Sequence, residues 1–153
     1  MPSVTFNTND VLTAAHMNRF GQDPQQTDVA TDDTRSAASY AALTTAGPSV
    51  TISLTNGQKV LVYVKSEFLT AADGSHGYHS FSASGGLTLS ANDTNAAHFF
   101  AVKVGSNTTG VVSAWTLVTA TSTASTTFTS LYRGDGTNTM HFLNRRMIVL
   151  TKF

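Results

Sequence analysis

Apolar and polar residues alternate with a period of two along most of this chain, from about residue 35 onward. Val50, Ile52 and Leu54, for example, are separated by single Thr or Ser residues, which is typical of a strand with one buried face. Such stretches are short and are divided by turn-forming Gly, Asn, Asp and Pro residues. The pattern predicts about eight to ten strands in an all-β fold, an antiparallel β-sandwich or jelly roll.

Two dipeptides between these stretches predict tight turns. The alternating stretches are residues 35–43, 50–54, 59–68, 77–84, 96–104, 111–119, 126–133 and 139–153. Asn56-Gly57 is a strong hairpin signal, so the strands at 50–54 and 59–68 are expected to pair antiparallel. Asp135-Gly136 predicts a second hairpin turn between the last two stretches.

The N-terminal region follows a helical pattern instead. Within residues 8–20, Val11, Leu12 and Ala15 form a narrow apolar stripe at helical spacing, and Gly21 is suited to end the helix. A helix of about 12 residues is marginally stable alone in water. It is therefore expected to pack against another surface.

A polar segment, residues 21–34, separates this helix from the strands. We interpret it as a linker, which divides the chain into an N-terminal arm, residues 1–34, and a β body, residues 35–153. The apolar residues of the arm are candidate assembly contacts, namely Val4, Phe6, Val11, Leu12, Ala15 and Met17. They can cover the chain's own sandwich or dock on a neighbouring subunit, and the length of the linker favours the neighbour.

The composition of the chain indicates which kinds of molecule are expected as binding partners. The 153 residues suffice for one domain, charged residues make up 12% and the formal net charge is zero. Without clustered Lys and Arg, nucleic acid is not an expected partner. No apolar run approaches the length of a membrane span, no secretion signal is recognised, and the absence of cysteine excludes disulfides. The hydroxyl-rich, weakly charged surface suits packing in an assembly.

Residues that catalysis usually needs are scarce. Glu67 is the only glutamate, so no pair of carboxylates is marked for acid/base hydrolysis. His76 and His79 are three residues apart on a predicted strand, which directs their side chains to opposite faces. The sequence has no nucleophile elbow and no phosphate-binding loop. We expect a non-enzymatic protein without catalytic residues, metal or cofactor, and a small hydrolase is the weakest alternative.

Several segments resemble proteins of tailed bacteriophages. Residues 10–18, DVLTAAHMN, resemble an opening found near the N-terminus of many phage structural proteins. The body resembles small β domains of actinobacterial phages and prophages at residues 47–52, 57–62, 81–85 and 142–149. The resemblance implies a virion structural protein, of the tail-fibre, minor-tail or capsid-decoration type, that is assembled in the host cytoplasm. The resemblance implies a homotrimeric jelly roll in contact with other virion proteins. It implies no catalytic residues.

The chain lacks the long fibre region of many such proteins. This favours a small module attached to the particle through its arm, either a capsid decoration protein or a short tail-tip subunit. The alternative is a receptor-binding tip that stacks aromatic rings on host carbohydrate, for which the candidates are Tyr63, Tyr78, Trp115 and Tyr132. Arg133-Gly134-Asp135 spells an integrin-recognition tripeptide, but a strand end and an Asp-Gly turn account for it.

Overall fold

The computed structural model of the protein describes residues 25–102 and 107–151. Within them the fold is all-β, as the alternation predicts. The elements are β1 (Gln25–Val29), β2 (Asp33–Arg35), β3 (Ser49–Leu54), β4 (Lys59–Thr70), β5 (His76–Ser84), a single 3-10 turn (Asp93–Asn95), β6 (Ala97–Phe100), β7 (Thr108–Thr119), β8 (Ala124–Arg133) and β9 (Met140–Leu150). The predicted helix at residues 8–20 lies outside the described residues.

The strands form two antiparallel sheets that pack face to face. Sheet A has the order β1-β9-β4-β7, and β2 also pairs with β9; sheet B has the order β3-β8-β5-β6. The chain passes from one sheet to the other at most of its connections, among them β3 to β4, β4 to β5 and β8 to β9. The result is an antiparallel β-sandwich with jelly-roll-like connections.

The core lies between the two sheets and is supplied by the inward-facing residues of each strand. Val60, Val62 and Val64 of β4 are at most 1% exposed, and Phe81 and Phe128 face them from sheet B. A second cluster fills the other part of the sandwich with Leu43, Phe68, Phe99, Ala101, Tyr132, Met140 and Phe142. Burial of this apolar area is the main favourable term in folding.

The two predicted turns form, but neither closes a hairpin. At Asn56-Gly57 the amide of Gln58 bonds to the carbonyl of Thr55 at 3.0 Å, and Gly57 has a φ of 78° that favours glycine. The strands on either side belong to different sheets, because β3 pairs with β8, whereas β4 pairs with β7 and β9. The prediction that they pair with each other is wrong. The same holds at Asp135-Gly136, since β8 and β9 also lie in different sheets.

Part of the expected linker belongs to the sandwich. Within residues 25–34, which composition assigns to a polar linker, β1 and most of β2 pair with β9. The strand expected at 35–43 is reduced to the end of β2 and an isolated bridge between Ala41 and Tyr132. An edge strand is held by backbone hydrogen bonds and can expose polar side chains. Composition therefore gave no sign that this segment is in a sheet.

A β-bulge in β9 changes which residues face the core. Lys65 of β4 lies opposite Arg146, but Glu67 lies opposite Leu143, so the register shifts between them. Asn144 adopts a φ of 44° at this point, a left-handed conformation that asparagine tolerates better than most residues. As a result the buried positions change from even to odd numbers, and Arg145 turns inward.

Arg145 is the largest fully buried side chain among the described residues. Its guanidinium donates to the carbonyls of Thr45 at 3.2 Å and Thr31 at 3.0 Å, and its central carbon lies 5.5 Å from the ring centre of Tyr132. A buried charge is costly unless hydrogen bonds replace its water. The two carbonyls lie in the segments before β2 and before β3, so one side chain ties both segments to the core.

We expect Arg145→Ala to lower the free energy of unfolding by about 2–4 kcal/mol, because it leaves two carbonyls without their donor and a void beside Tyr132. Arg146→Ala is the matched control, since Arg146 is partly exposed and pairs with Asp28 at 2.6 Å. An exposed ion pair contributes little to stability, because water screens it. Urea unfolding of both variants measures the difference, and equal losses would contradict this role of Arg145.

Candidate functional site

Sheet A carries apolar side chains on its outer face as well as its inner one. In β4 the inward positions are Val60, Val62 and Val64, and all three are buried. The positions between them, Leu61 and Tyr63, point outward and are half-buried. A strand that is apolar on both faces is typical of a sheet covered on both sides.

Two rows of opposed residues continue this outer surface across three strands. The rows are Leu117–Leu61–Leu150 and Trp115–Tyr63–Ile148, and these six residues are called the apolar outer face below. Trp115 and Leu117 are each 53% exposed, and the rings of Tyr63 and Trp115 lie 4.5 Å apart. Adjacent exposed apolar residues of this size are uncommon on a free protein and often mark a contact surface.

The next row along the strands is polar and forms one border of this face. It crosses the sheet through Ser113, Lys65, Arg146 and Asp28. The carboxylate of Asp28 accepts from the guanidinium of Arg146 at 2.6 and 3.0 Å. The apolar outer face therefore ends sharply on this side, at an ion pair.

Sheet B presents a different surface, a cluster of stacked rings. His76 and Tyr78 of β5 lie opposite Phe100 and His98 of β6. The rings of Tyr78 and His98 are 4.3 Å apart and almost parallel, at 6°, and the guanidinium of Arg133 lies 3.7 Å over the other face of Tyr78. Both faces of Tyr78 are therefore occupied within the protein.

Charged and polar neighbours hold this cluster in place. Arg133 donates to both carboxylate oxygens of Asp93, and Tyr40 donates to the same carboxylate at 2.9 Å. The hydrogen bonds from Arg133 have the largest effect on the pKa of the Asp93 carboxyl. Together with the bond from Tyr40 they hold that pKa below its usual value. Burial lowers the pKa of His98, and the nearby His76 and Arg133 lower it further. His98 is thus neutral at pH 7, and it shares a hydrogen bond of 2.9 Å with His76.

The integrin-type tripeptide is engaged in internal contacts. Arg133 is bound to Asp93 and Tyr78, as above. The carboxylate of Asp135 accepts from the backbone amides of Thr137 at 2.7 Å and Asn138 at 2.8 Å. Both charged side chains of the tripeptide therefore have intramolecular partners.

A third polar cluster lies inside the sandwich, around His79. Nδ1 lies 2.8 Å from the hydroxyl of Ser66 and 3.2 Å from the carbonyl of Lys65. Because the carbonyl can only accept, we place the proton on Nδ1, so that Nε2 accepts from the hydroxyl of Ser130 at 2.9 Å. His79 and both serines are 0% exposed. A substrate has no access to them, so this arrangement gives no support to a hydrolase.

Neither a metal centre nor a membrane helix is found in the described parts of the chain. Residues 25–102 and 107–151 contain no group of three or more His, Cys, Asp or Glu side chains that could hold a metal ion. Over the same residues no helix is long and apolar enough to cross a membrane.

The four aromatic residues proposed as carbohydrate contacts lie in three different places in the structure. Tyr63 and Trp115 are adjacent on the apolar outer face, whereas Tyr78 belongs to the ring cluster of the opposite sheet. Tyr132 is 0% exposed and packs against His79 and Phe142, which removes it as a surface contact. The six arm residues, Val4, Phe6, Val11, Leu12, Ala15 and Met17, lie outside the described residues.

Sequence reasoning did not identify most of the apolar outer face. Leu61, Leu117, Ile148 and Leu150 were assigned no functional role. The available signal was that β4 and the end of β9 are apolar at both even and odd positions. Single-faced alternation, by contrast, predicts an outer face of Ser and Thr, which sheet B shows in β3.

Comparison with known proteins gives no family for the chain. No family model matches the sequence, and no curated protein matches it. Among solved structures, the fold is similar to Eiger TNF from S. frugiperda, with 8% identity over 80% of this chain and 93% of that one at a TM-score of 0.41. A chain of infectious bursal disease virus, Gx strain, is 11% identical over 97% of this chain, which spans 40% of that chain, at a TM-score of 0.40. Similarities this weak carry no argument about function.

The environment of His79 predicts a loss of stability in acid. Burial lowers the pKa of His79 to about 3, whereas an unfolded histidine has a pKa of about 6.5. The folded state therefore resists a proton that the unfolded state accepts. The contribution of neutral His79 to the free energy of unfolding is therefore complete above pH ~6.5. It is lost as the pH falls toward 3, by about 1 kcal/mol per pH unit.

Urea unfolding of the wild type and of His79→Gln between pH 7 and pH 4 tests this. The loss per pH unit should be smaller in the variant, because its side chain does not titrate. His141→Gln is the control, since His141 is partly exposed and contacts Asp32 at 3.0 Å. If His79→Gln keeps the pH dependence of the wild type, His79 is not the group responsible.

Proposed function

We propose that this protein is a non-enzymatic structural subunit of a bacteriophage particle, which contacts the particle through the apolar outer face of sheet A. The observation that carries the proposal is that face, with Trp115 and Leu117 each 53% exposed. The resemblance of residues 10–18 to openings of phage structural proteins supports the particle as the partner. More specifically, we propose that it is a capsid decoration protein or a short tail-tip subunit, and that its copies form a trimer.

The physical case rests on surface chemistry. A formal net charge of zero gives little mutual repulsion between copies. In sheet B, the exposed residues of the edge strand β3 carry hydroxyl side chains. The apolar outer face places large apolar side chains in two adjacent rows. Its burial against another subunit would contribute about 25 cal/mol for each Å² of apolar area removed from water.

Particles purified from cells that carry the gene provide the test. We expect immunogold labelling and immunoblotting to find the wild-type chain on the particles. Leu117→Asp should reduce incorporation by about tenfold or more, because a carboxylate in an apolar contact must lose its water. Ser53→Asp adds the same charge at an exposed position of β3 in sheet B, and it should be incorporated like the wild type.

Two results would contradict this proposal. Absence of the wild-type chain from purified particles, although the cells express it, would exclude a virion role. Normal incorporation of Leu117→Asp would exclude the apolar outer face as the contact. Circular dichroism of both Asp variants establishes that the β body is folded in each case.

A second candidate function is recognition of host carbohydrate. It is favoured by the pair of rings on the outside of sheet A, where Tyr63 and Trp115 lie 4.5 Å apart. Aromatic rings with one open face are suited to stacking on apolar faces of ligands.

For this candidate, a glycan array probed with the intact protein should give hits that Trp115→Ala loses. Phe100→Ala, which removes a ring that is 50% exposed on sheet B, should keep them. An array without hits would count against carbohydrate recognition.

A further inference from the structure

Strand β7 lies at one edge of sheet A and is long for an edge strand. It has twelve residues, whereas β1, β2, β3 and β6, which lie at the other edges, have three to six. All twelve residues of β7 pair with β4 without a shift of register. Among residues 25–102 and 107–151, no strand pairs with the other side of β7.

The hydrogen bonds at the end of β7 show which of its backbone groups point away from β4. Ala120, directly after β7, donates its N–H to the carbonyl of Gln58 at 2.9 Å and accepts from the N–H of Gly57 at 2.8 Å. Both bonds lie on the side of β4. Because successive residues of a strand direct these groups to opposite sides, the even-numbered residues of β7 bond to β4. The odd-numbered residues from 109 to 119 direct their N–H and C=O groups to the edge.

The edge of β7 lacks the features that usually prevent strands of different chains from pairing. Edge strands are commonly protected by charged side chains, by proline or by a bulge. The sequence of β7, TTGVVSAWTLVT, has no charge and no proline, and its pairing with β4 is regular. At the opposite edge of the sheet, β1 carries Asp28 and β2 carries Asp33 and Arg35. β7 is therefore the edge of sheet A that is suited to strand addition.

The side chains of β7 are also incompletely covered on both faces of the sheet. Val112, Ala114 and Val118 face inward and pack against the core, yet they are only partly buried. On the outer face, Val111 is 60% exposed. A strand placed beside β7 would cover apolar side chains on both faces, so the strand that fits this edge is itself uncharged and largely apolar.

We propose that β7 pairs antiparallel with β7 of a second copy of this chain, so that the two copies of sheet A form one continuous sheet. One register uses the edge groups of every odd-numbered residue from 109 to 119. It places Val111 opposite Leu117 and Ser113 opposite Trp115 of the second copy, with Ala114 at the two-fold axis. Such cross-strand apolar pairs are favourable.

The self-complementarity of β7 is the reason for choosing a second copy as the occupant. Because the strand carries no charge, an antiparallel pair of copies brings no like charges together, and apolar residues meet apolar or hydroxyl residues throughout. A two-fold contact uses the same edge in both copies, so it closes at two and leaves no edge of this kind free.

This contact goes beyond the virion role and differs from the trimer proposed above, which needs a three-fold contact elsewhere on the surface. If both contacts form, the assembly has six copies; if only the β7 contact forms, it has two. Light scattering coupled to size-exclusion chromatography distinguishes these assemblies from a monomer of 16.2 kDa and from a trimer. We expect two or six copies.

Ser113→Pro tests whether the edge of β7 makes the contact. The N–H that it removes points away from β4, so the pairing within the chain is kept, and proline is tolerated at such edge positions. The variant should raise the dissociation constant of the pair by about tenfold or more, since it removes a donor and widens the contact at its centre. Ser113→Ala is the matched control, because it keeps the N–H and should assemble like the wild type. Circular dichroism of both variants measures folding of the β body.

A distance between spin labels tests the register and does not depend on the proline variant. The chain has no cysteine, so Thr119→Cys introduces a single site for a nitroxide label. In the proposed register residue 119 of each copy lies opposite residue 109 of the other. The two labels are then ten residues apart along the strands, which is about 34 Å. Pulsed electron paramagnetic resonance measures this distance.

Three outcomes would overturn the pairing of β7. They are a wild type that is a monomer or a trimer at all concentrations, a folded Ser113→Pro that assembles like Ser113→Ala, and a label distance far from the expected one. None of these measurements involves particles. Detection of the chain on purified particles tests the virion role alone, so the two proposals can fail separately.

Discussion

The bulge in β9 is the constraint on which the sandwich depends. β9 lies between β1 and β2 on one side and β4 on the other, so its side chains determine both faces of sheet A. The extra residue at Asn144 shifts the alternation by one position, which directs Met147 and Val149 into the core and leaves Ile148 and Leu150 outside. It also turns Arg145 inward, where its two terminal nitrogens donate to the carbonyls of Thr45 and Thr31.

The two sheets differ in what their outer faces expose. Sheet A exposes two apolar rows beside an ion pair, whereas sheet B exposes hydroxyl groups on β3 and a cluster of stacked rings whose members already contact one another. Burial of the outer face of sheet A would therefore remove two adjacent apolar rows from water, whereas the large apolar side chains exposed on sheet B include Phe100 of β6. This asymmetry is the reason for proposing sheet A as the contact surface, whereas the rings and Arg133 of sheet B have contacts inside the chain.

The sequence predicts the strands well and their partners poorly. Alternation locates β3 and β4 because it depends only on which side of each strand is buried. Pairing depends on the whole chain, so the turn at Asn56-Gly57 wrongly predicts a hairpin. β1 and β2 were missed because edge strands tolerate polar side chains. The bulge at Asn144 has no local signal beyond an asparagine. Of the candidate site, Tyr63 and Trp115 were identified, whereas the buried position of Tyr132 depends on its contact with Phe142 across the sandwich.

The pairing of β1 with β9 has a consequence for how the chain acquires its structure. Asp28 and Arg146, which bond across these strands, are 118 residues apart in the sequence. Sheet A cannot be completed during synthesis until β9 has left the ribosome, and folds dominated by such distant pairings form slowly, in milliseconds to seconds. Throughout that interval β4 lacks a neighbour on one side. Folding of this chain is therefore expected to wait for the synthesis of β9 and to be sensitive to aggregation while the strand edge is open.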